Sequence, residues 1–299
     1  MNLLNTLIQG TLLGGHYALL ACGLAFMFQV MQVINLAHGS LAVMAGFAFL
    51  AISAVLGINP FIVLIIVIPG MALVGWGLQV GVLERSTKYG LLVPILATFG
   101  LAILINNLLF EHFGADPVSL APNIGSLSFS SWAIGGNIYI GKLAALIFAV
   151  AVGLLVSLSL FLNRTPLGRA IRATATDPDV VGLLGINPRF INIVASAIAL
   201  VTVGIAGMFL TMRGSVTPYS GMGVLLFAFE AAVIGGEGSL WRTLLGGILL
   251  GVVQSLGALI NPQGFLIAGH AFFLVVVMVR VMLSGRVMYR IKTRLLQWI

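Results

Sequence analysis

The chain has 299 residues, of which 60% are hydrophobic and only 7% are charged, and its mean hydropathy is +1.17. Soluble domains carry about 25% charged residues, so this composition excludes a water-soluble globular protein. The net charge of +7 does not indicate a nucleic-acid partner, because the basic residues lie between apolar runs and form no single basic patch. Cys22, which lies in an apolar run, is the only cysteine, so a disulfide within the chain is excluded.

Long runs without charge predict membrane spans. Residues 1–83 contain no Asp, Glu, Lys or Arg, and further charge-free runs recur along the chain. Roughly 20 apolar residues of helix cross a bilayer core. We therefore predict a single transmembrane domain over residues 1–299, an all-α integral membrane protein with a polytopic bundle of eight or nine transmembrane helices. The predicted spans are about 6–30, 37–56, 61–83, 91–110, 141–163, 190–212, 223–236, 243–260 and 264–283. A removable signal peptide is not expected, because no basic segment precedes the first apolar run.

Basic residues are concentrated on one side of the predicted bundle. They fall at 85–88, within 164–189, at Arg242 and at 280–294, whereas the other side has only Lys142 and Arg213. The positive-inside rule makes the basic side cytoplasmic. The N-terminus is then predicted to be periplasmic and the C-terminus cytoplasmic, which requires an odd number of spans and favours nine.

Two segments outside the spans have local patterns of their own. In the predicted periplasmic loop, 111–140, the stretch 127–140 alternates partly around a Gly-Gly-Asn turn and predicts a short β-hairpin. In the tail, 284–299, arginines recur every four residues and apolar residues fall on another face. This pattern predicts an amphipathic helix on the cytoplasmic membrane surface.

The predicted cytoplasmic connection 164–189 contains two helix starts. Thr165 can cap a helix whose first residue is Pro166, and Asp177-Pro178-Asp179 repeats the arrangement with a second acid in the first turn. Gly185 suits the end of a helix at about 178–184. The apolar residues of this short helix are Val180, Val181, Leu183 and Leu184. Such a helix fits either a knob for a groove in a partner protein or an ordinary interfacial connector, and the residues alone do not choose between them.

Polar residues interrupt the apolar sequence between the first two predicted spans. Asn35, His38 and Ser40 lie within 33–41. Transporters break helices where a substrate passes, which leaves polar groups free to bind it. We therefore take these three residues as candidates for a translocation path. The alternative is a capped turn, with Asn35 or Ser40 as the helix cap.

Glu230 is the only acidic residue well inside a predicted span. An ionisable residue at membrane depth is a candidate functional residue, and Glu230 joins the predicted translocation path. The alternative is a structural pair with Arg213, Arg242 or a helix end. His270 stands alone in apolar sequence and is expected to be a satisfied core histidine.

The signatures of an enzyme are absent from the sequence. No Gly-x-x-x-x-Gly-Lys-Ser/Thr loop is present to bind ATP, and the four histidines and one cysteine lack metal-ligand spacing. We expect no catalytic residues, no metal and no cofactor, so active transport would need energy from another subunit. The rival hypotheses are a secondary carrier or channel for a small polar solute, working without ATPases, and a structural membrane protein.

Three ordered segments resemble the permease subunits of bacterial branched-chain amino-acid ABC importers of the high-affinity "H" type. They are 33–47 with Ile-Asn-Leu-Ala-His-Gly, 168–187 with Leu-Leu-Gly-Ile-Asn, and 228–254 with Phe-Glu-Ala-Ala-Val-Ile-Gly-Gly. The motifs Ile260-Asn261-Pro262 and Ala268-Gly269-His270 add to the resemblance, which covers nearly the whole chain.

The resemblance implies a heterodimer with a sister permease, two cytoplasmic ATPase subunits and a periplasmic substrate-binding protein, all at the bacterial inner membrane. It also implies that 164–189 is the coupling segment that inserts into the ATPase, and that the polar interruptions line the path of the solute. The residues to which it assigns coupling are Arg169, Arg172, Asp177, Pro178, Asp179, Leu183, Leu184 and Gly185. The solutes it admits are branched-chain amino acids, urea and small amides.

Two places depart from the pattern of that family. Arg242 stands where the family has glycine, and 280–286 replaces an Arg-Pro-x-Gly-Leu-Phe segment. Both places lie on the predicted cytoplasmic edge. We expect pairing with the ATPases to differ there from that of close relatives.

Overall fold

The computed structural model describes residues 3–90, 92–135, 138–236 and 239–283, and most of these residues are helical. The helices are α1 (Leu3–Met31), α2 (His38–Leu56), α3 (Pro60–Leu78), α4 (Glu84–Ser86), α5 (Leu92–Phe113), α6 (Lys142–Arg164), α7 (Pro166–Thr176), α8 (Pro178–Leu183), α9 (Pro188–Arg213), α10 (Gly221–Gly235), α11 (Leu240–Ala258) and α12 (Gly264–Leu283). A π-helical turn, Gln79–Leu83, joins α3 to α4, and 3-10 turns lie at Thr87–Tyr89, Ala121–Ser128 and Pro218–Ser220.

Nine helical stretches within these ranges are long and apolar enough to cross a membrane. This confirms the predicted all-α polytopic fold and agrees with nine spans. The seventh stretch, Pro218–Gly235, begins earlier than the predicted 223–236 because a 3-10 turn precedes α10. The predicted amphipathic tail at 284–299 lies outside the described residues.

The predicted β-hairpin is present in the connection between α5 and α6. Strands β1 (Ser131–Ala133) and β2 (Tyr139–Gly141) are antiparallel, with Trp132 opposite Ile140. The side-chain amide of Gln9 donates to the Tyr139 carbonyl at 2.5 Å, which ties the hairpin to the first turns of α1.

Helices α1 and α11 meet along a seam of glycines, formed by Gly10 and Gly14 on α1 and by Gly247 and Gly251 on α11. A Cβ atom at Gly14 would clash with the backbone of Ile248, and one at Gly251 would clash with the backbone of Gly10. Small residues let helices in a membrane approach this closely, because little hydrophobic driving force acts between them and contact depends on packing. This glycine seam places α1 at the centre of the bundle, and α1 is the most deeply buried of the described spans.

Helix α9 forms the second packing centre, between α2 and α3. Gly207 of α9 lies against the backbone of Ala42 in α2, and Gly75 of α3 lies against Ser196 in α9. At one end of α9, Arg189 forms an ion pair with Glu84 of α4 at 2.9 Å. Helix α12 is the most exposed of the described spans, and its exposed side chains are mostly apolar, as expected of a surface that faces lipid or another subunit.

Candidate functional site

The connection between α6 and α9 folds as its sequence predicts. The Thr165 hydroxyl accepts a hydrogen bond from the Gly168 amide at 2.9 Å, and Pro166 is the first residue of α7. The Asp177 carboxylate accepts from the amides of Asp179 and Val180, both at 3.1 Å, and so caps α8. These caps satisfy N–H groups that a helix start leaves without partners. Gly185 ends the segment with φ of +81°, a conformation that glycine adopts without strain.

Most apolar side chains of helix α8 point away from the rest of the protein. Val181 is buried and anchors the helix, whereas Val180, Leu183 and Leu184 are exposed, with Leu183 at 88%. The predicted helix 178–184 is therefore observed one residue shorter, and three of the four apolar residues predicted to be presented by it are exposed. Two predicted coupling residues, Arg169 and Arg172, contact the end of α6 instead of α8: Arg172 donates to the Asn163 side chain at 2.8 Å and Arg169 to the Arg164 carbonyl at 3.4 Å. The coupling role of the segment stays a prediction.

The chain between α1 and α2 is not helical, and its polar groups have internal partners. Asn35 is fully buried, and its side-chain oxygen accepts from the Ala37 amide at 3.0 Å while its carbonyl accepts from the His38 amide at 3.2 Å. The Leu36 amide donates to the Thr98 hydroxyl at 3.1 Å. Asn35 thus closes the turn before α2, but the cap position of the helix is Ala37 and no side chain caps it, so the expected cap at Asn35 or Ser40 is absent. A role for it in the translocation path stays a prediction.

His38 and Ser40, at the start of α2, are buried against other helices. Nε2 of His38 lies 2.8 Å from the Leu20 carbonyl of α1, and Nδ1 has no hydrogen-bond partner among the described residues. Ser40 lies against Gly221 at the start of α10, where a Cβ would meet its hydroxyl. The start of α2 therefore reaches back to the middle of α1, a contact that the local sequence does not indicate.

Glu230 pairs with His270 of α12. Its Oε1 lies 2.6 Å from Nδ1 of His270, and Oε2 has no hydrogen-bond partner within the described residues. This partner differs from Arg213, Arg242 and the helix ends considered above. The side chain of Glu230 is 1% exposed and that of His270 is 37% exposed, so the expectation of a core position for His270 is wrong. An ionisable side chain buried at membrane depth with one oxygen unpaired is energetically costly, which is typical of functional positions.

A stack of rings extends this pair towards α1. Phe227 of α10 stacks on His270 with ring centroids 5.9 Å apart and on Tyr17 of α1 at 5.2 Å. The Tyr17 hydroxyl donates to the side chain of Gln254 on α11 at 2.5 Å. Sequence reasoning missed this network, and the motif Ala268-Gly269-His270 was the one available signal. The network that contains Glu230, His270 and Phe227 contacts α1 at Tyr17. His38 contacts α1 one turn further along, at the Leu20 carbonyl.

A cavity of about 220 Å³ lies between α1, α10, α11 and α12. Its lining includes Phe28, Ile34, Phe229 and Val233, and Thr243 and Arg280 are among its polar lining residues. None of the four predicted path residues lines this cavity, but Ile34 and Phe229 are the sequence neighbours of Asn35 and Glu230. In the described part of the chain, no three His, Cys, Asp or Glu side chains lie together in a way that could hold a metal.

Comparisons with known proteins give a consistent match. A family described as "Branched-chain amino acid transport system / permease component" matches residues 6–283. The permease protein BraD of the high-affinity branched-chain amino acid transport system of Pseudomonas aeruginosa is 30% identical over 266 residues, covering 85% of this chain and 86% of that protein. LivH of the corresponding system of Escherichia coli K12 is 28% identical over 268 residues, with the same coverage. LivM of Escherichia coli K12, a permease protein of the same kind of system, is 36% identical over 130 residues, covering 42% of this chain and 31% of that protein.

Proposed function

The chain belongs to the family of permease components of branched-chain amino acid transport systems, and from this premise we propose that it is the membrane subunit of an ABC importer. It is a multi-pass membrane transport subunit and not an enzyme. The proposed solute is a branched-chain amino acid or a similar small zwitterion or amide, carried across the bacterial inner membrane.

The observation that carries this proposal is the capped and exposed helix α8. A folded helix that buries Val181 but leaves Leu183 and Leu184 exposed has an apolar surface that its own chain does not cover. Exposed apolar patches of this kind mark protein–protein contacts. Since the sequence has no nucleotide-binding loop, an ATPase subunit is the partner that would both cover α8 and supply energy.

The remaining partners and the orientation follow from the same proposal. A sister permease is supported by the match to LivM over part of the chain, and two cytoplasmic ATPases and a periplasmic binding protein would complete the importer. The basic residues near α8, Arg169, Arg172 and Arg189, favour the cytoplasm on that side. The N-terminus would then be periplasmic, and the C-terminus cytoplasmic.

Replacing one apolar residue of α8 by an acid tests the coupling role. In the whole transporter, Leu183→Asp should lower uptake of radiolabelled L-leucine by about 30-fold, which corresponds to about 2 kcal/mol at a docking hot spot. The amount of protein in the membrane should not change, and fewer ATPase subunits should co-purify. The matched control is Ile260→Asp in the turn after α11, where the side chain is 85% exposed; its uptake should stay normal.

Two outcomes would contradict the proposal at different levels. Normal uptake after deletion of 178–184 would remove the coupling role from α8. Uptake that persists in ATP-free proteoliposomes under an ion gradient would instead indicate a secondary carrier.

A substitution at Glu230 tests the proposed translocation path. Glu230→Gln keeps the shape of the side chain and removes its charge, so uptake should fall while the melting temperature of the purified transporter stays the same. His270→Gln serves as the companion variant, because it removes the partner and leaves the carboxylate. Unchanged uptake with a lower melting temperature would give Glu230 a structural role only.

A further inference from the structure

The cavity between α1, α10, α11 and α12 is suited in size to one small solute. Its volume is about 220 Å³, well above the ~10–15 Å³ that one water molecule needs by this measure. Pockets for drug-sized ligands usually occupy more space, about 300–1,000 Å³.

Arg280 places a positive charge in the wall of this cavity. Its two terminal nitrogens donate to the carbonyls of Val233 and Ile234, at 2.6 Å and 2.8 Å, and so bind the C-terminal end of α10. A guanidinium has five N–H donors, so further donors remain for a ligand. Gly236 makes room for this group, because a Cβ there would lie 2.7 Å from Nη2 of Arg280. Arg280 is the only charged residue among the described residues of the lining.

The rest of the lining combines apolar walls with a few polar side chains. A branched aliphatic group could pack against the apolar lining residues Leu24, Phe28, Phe229 and Val233. Ser239, which precedes α11, and Thr243, in its first turn, both line the cavity and provide hydroxyl oxygens. A few polar groups in a mostly apolar pocket are typical of sites that fix the orientation of a small ligand.

The cavity lies at one end of the bundle. Its walls come from the C-terminal parts of α1, α10 and α12 and from the start of α11. In the proposed orientation all four of these ends are on the cytoplasmic side. The cavity also adjoins both polar interruptions of the sequence, through Ile34 and Phe229.

We propose that this cavity is the inward-facing site for the solute, which binds its carboxylate at Arg280 and its branched aliphatic side chain against Phe28, Phe229 and Val233. The proposal rests on the proposed function, since it takes an aliphatic α-amino acid as the solute. Bidentate binding of a carboxylate is the geometry that a guanidinium favours. The phosphate of an anionic lipid shares this chemistry, and the experiment separates the two sources.

The experiment measures whether L-leucine protects a cysteine in the cavity from modification. The only natural cysteine is replaced by Cys22→Ala, and Ala232→Cys then places a thiol in the lining. The complete transporter, without its binding protein, is placed in phosphatidylcholine nanodiscs and treated with a small methanethiosulfonate reagent. Modification of this chain is followed by mass spectrometry. We expect L-leucine to slow the reaction, and L-leucinamide, which lacks the carboxylate, to slow it much less.

Arg280→Met tests the charge directly. It should raise the concentration of L-leucine needed for half-protection by about 10- to 150-fold, which corresponds to the loss of about 1.5–3 kcal/mol expected for a hydrogen bond to a charged group. The effect of L-leucinamide should not change. Arg280→Lys, which keeps the charge, should fall between Arg280→Met and the natural residue. As a control, Leu226→Cys on the exposed face of α10 should react at the same rate with and without L-leucine.

Three results would overturn this assignment. The first is modification of Ala232→Cys that L-leucine does not change; if uptake is normal at the same time, the cavity proposal fails while the importer function stands. The second is that Arg280→Met raises the concentration needed for half-protection equally for L-leucine and L-leucinamide. Arg280 would then only cap α10 and would not bind the carboxylate. The third is slow modification of the Ala232→Cys thiol in phosphatidylglycerol nanodiscs without L-leucine. The occupant of the cavity would then be a lipid.

Discussion

The glycine seam between α1 and α11 and the short helix α8 use their surfaces in opposite ways. In the seam, the backbones are so close that Gly14 and Gly251 have no room for a Cβ atom. At the end of α8, Leu183 and Leu184 are largely exposed, and Gly182 faces open space. The seam therefore stabilises the bundle, whereas the exposed side of α8 contributes little to the stability of this subunit.

Because the two surfaces differ in this way, we expect the stability of the subunit and its coupling to be separable by mutation. Changes in the glycine seam should lower the stability of the subunit before they affect any single step of transport. Changes on the exposed side of α8 should do the reverse. Three substitutions test this separation, each paired with a control variant.

The largest effect is expected for Gly14→Val. The new side chain must displace the backbone of Ile248, and overpacking of this kind costs about 3 kcal/mol at the upper end of its usual range. The melting temperature of the purified transporter in detergent should fall clearly. Gly153→Val in α6 is the matched control, because Gly153 has nothing within 4 Å. Equal stability of the two variants would show that the seam is not as tight as the structure indicates.

A smaller effect is expected for Asp177→Ala. The substitution removes the acceptor for the amides of Asp179 and Val180, and loss of an N-cap costs about 1 kcal/mol. These two amides should exchange hydrogen about fivefold faster, the factor that corresponds to 1 kcal/mol. Uptake should fall while the melting temperature stays the same. As a control, Asp177→Ser keeps an acceptor and should restore most of the uptake. A lower melting temperature in Asp177→Ala would contradict the separation of α8 from the core.

The smallest effect, with the opposite sign, is expected for Gly182→Ala. Alanine is favoured over glycine within a helix by about 0.5–1 kcal/mol, and the open space at this position accepts the methyl group. Amide exchange in α8 should slow down, and uptake should be preserved. Gly185→Ala is the counterpart, since φ of +81° strains any residue with a Cβ atom and should speed up exchange. Loss of uptake in Gly182→Ala would mean that a partner contacts the helix at this glycine.

The sequence predicts those parts of the molecule that depend on local physics. Charge-free runs predict the spans, because the bilayer tolerates few charges and requires a minimum helix length. Thr165-Pro166 and Asp177-Pro178 predict the starts of α7 and α8, because a cap acts on amides only two or three residues away. The same reasoning predicts the end of the short segment at Gly185.

The contacts that sequence reasoning missed join residues far apart in the chain. Glu230 and His270 are separated by 40 residues, and no local pattern relates them. The same holds for His38 and the Leu20 carbonyl, and for Arg280 and the end of α10. Such pairs depend on how the helices pack, and periodicity along one helix does not contain that information. The cavity was missed for the same reason, since four helices form it.

Single residues join helices α6, α7 and α8. Thr165 ends α6 and begins α7, and Asp177 ends α7 and begins α8. With 11 residues and a rise of about 1.5 Å per residue, α7 is a rod of about 16 Å, so a rotation of about 10° around Thr165 moves the α8 end by about 3 Å. No linker separates α6, α7 and α8, so a displacement of α8 would be taken up as a rotation of α7 at Thr165 and Asp177.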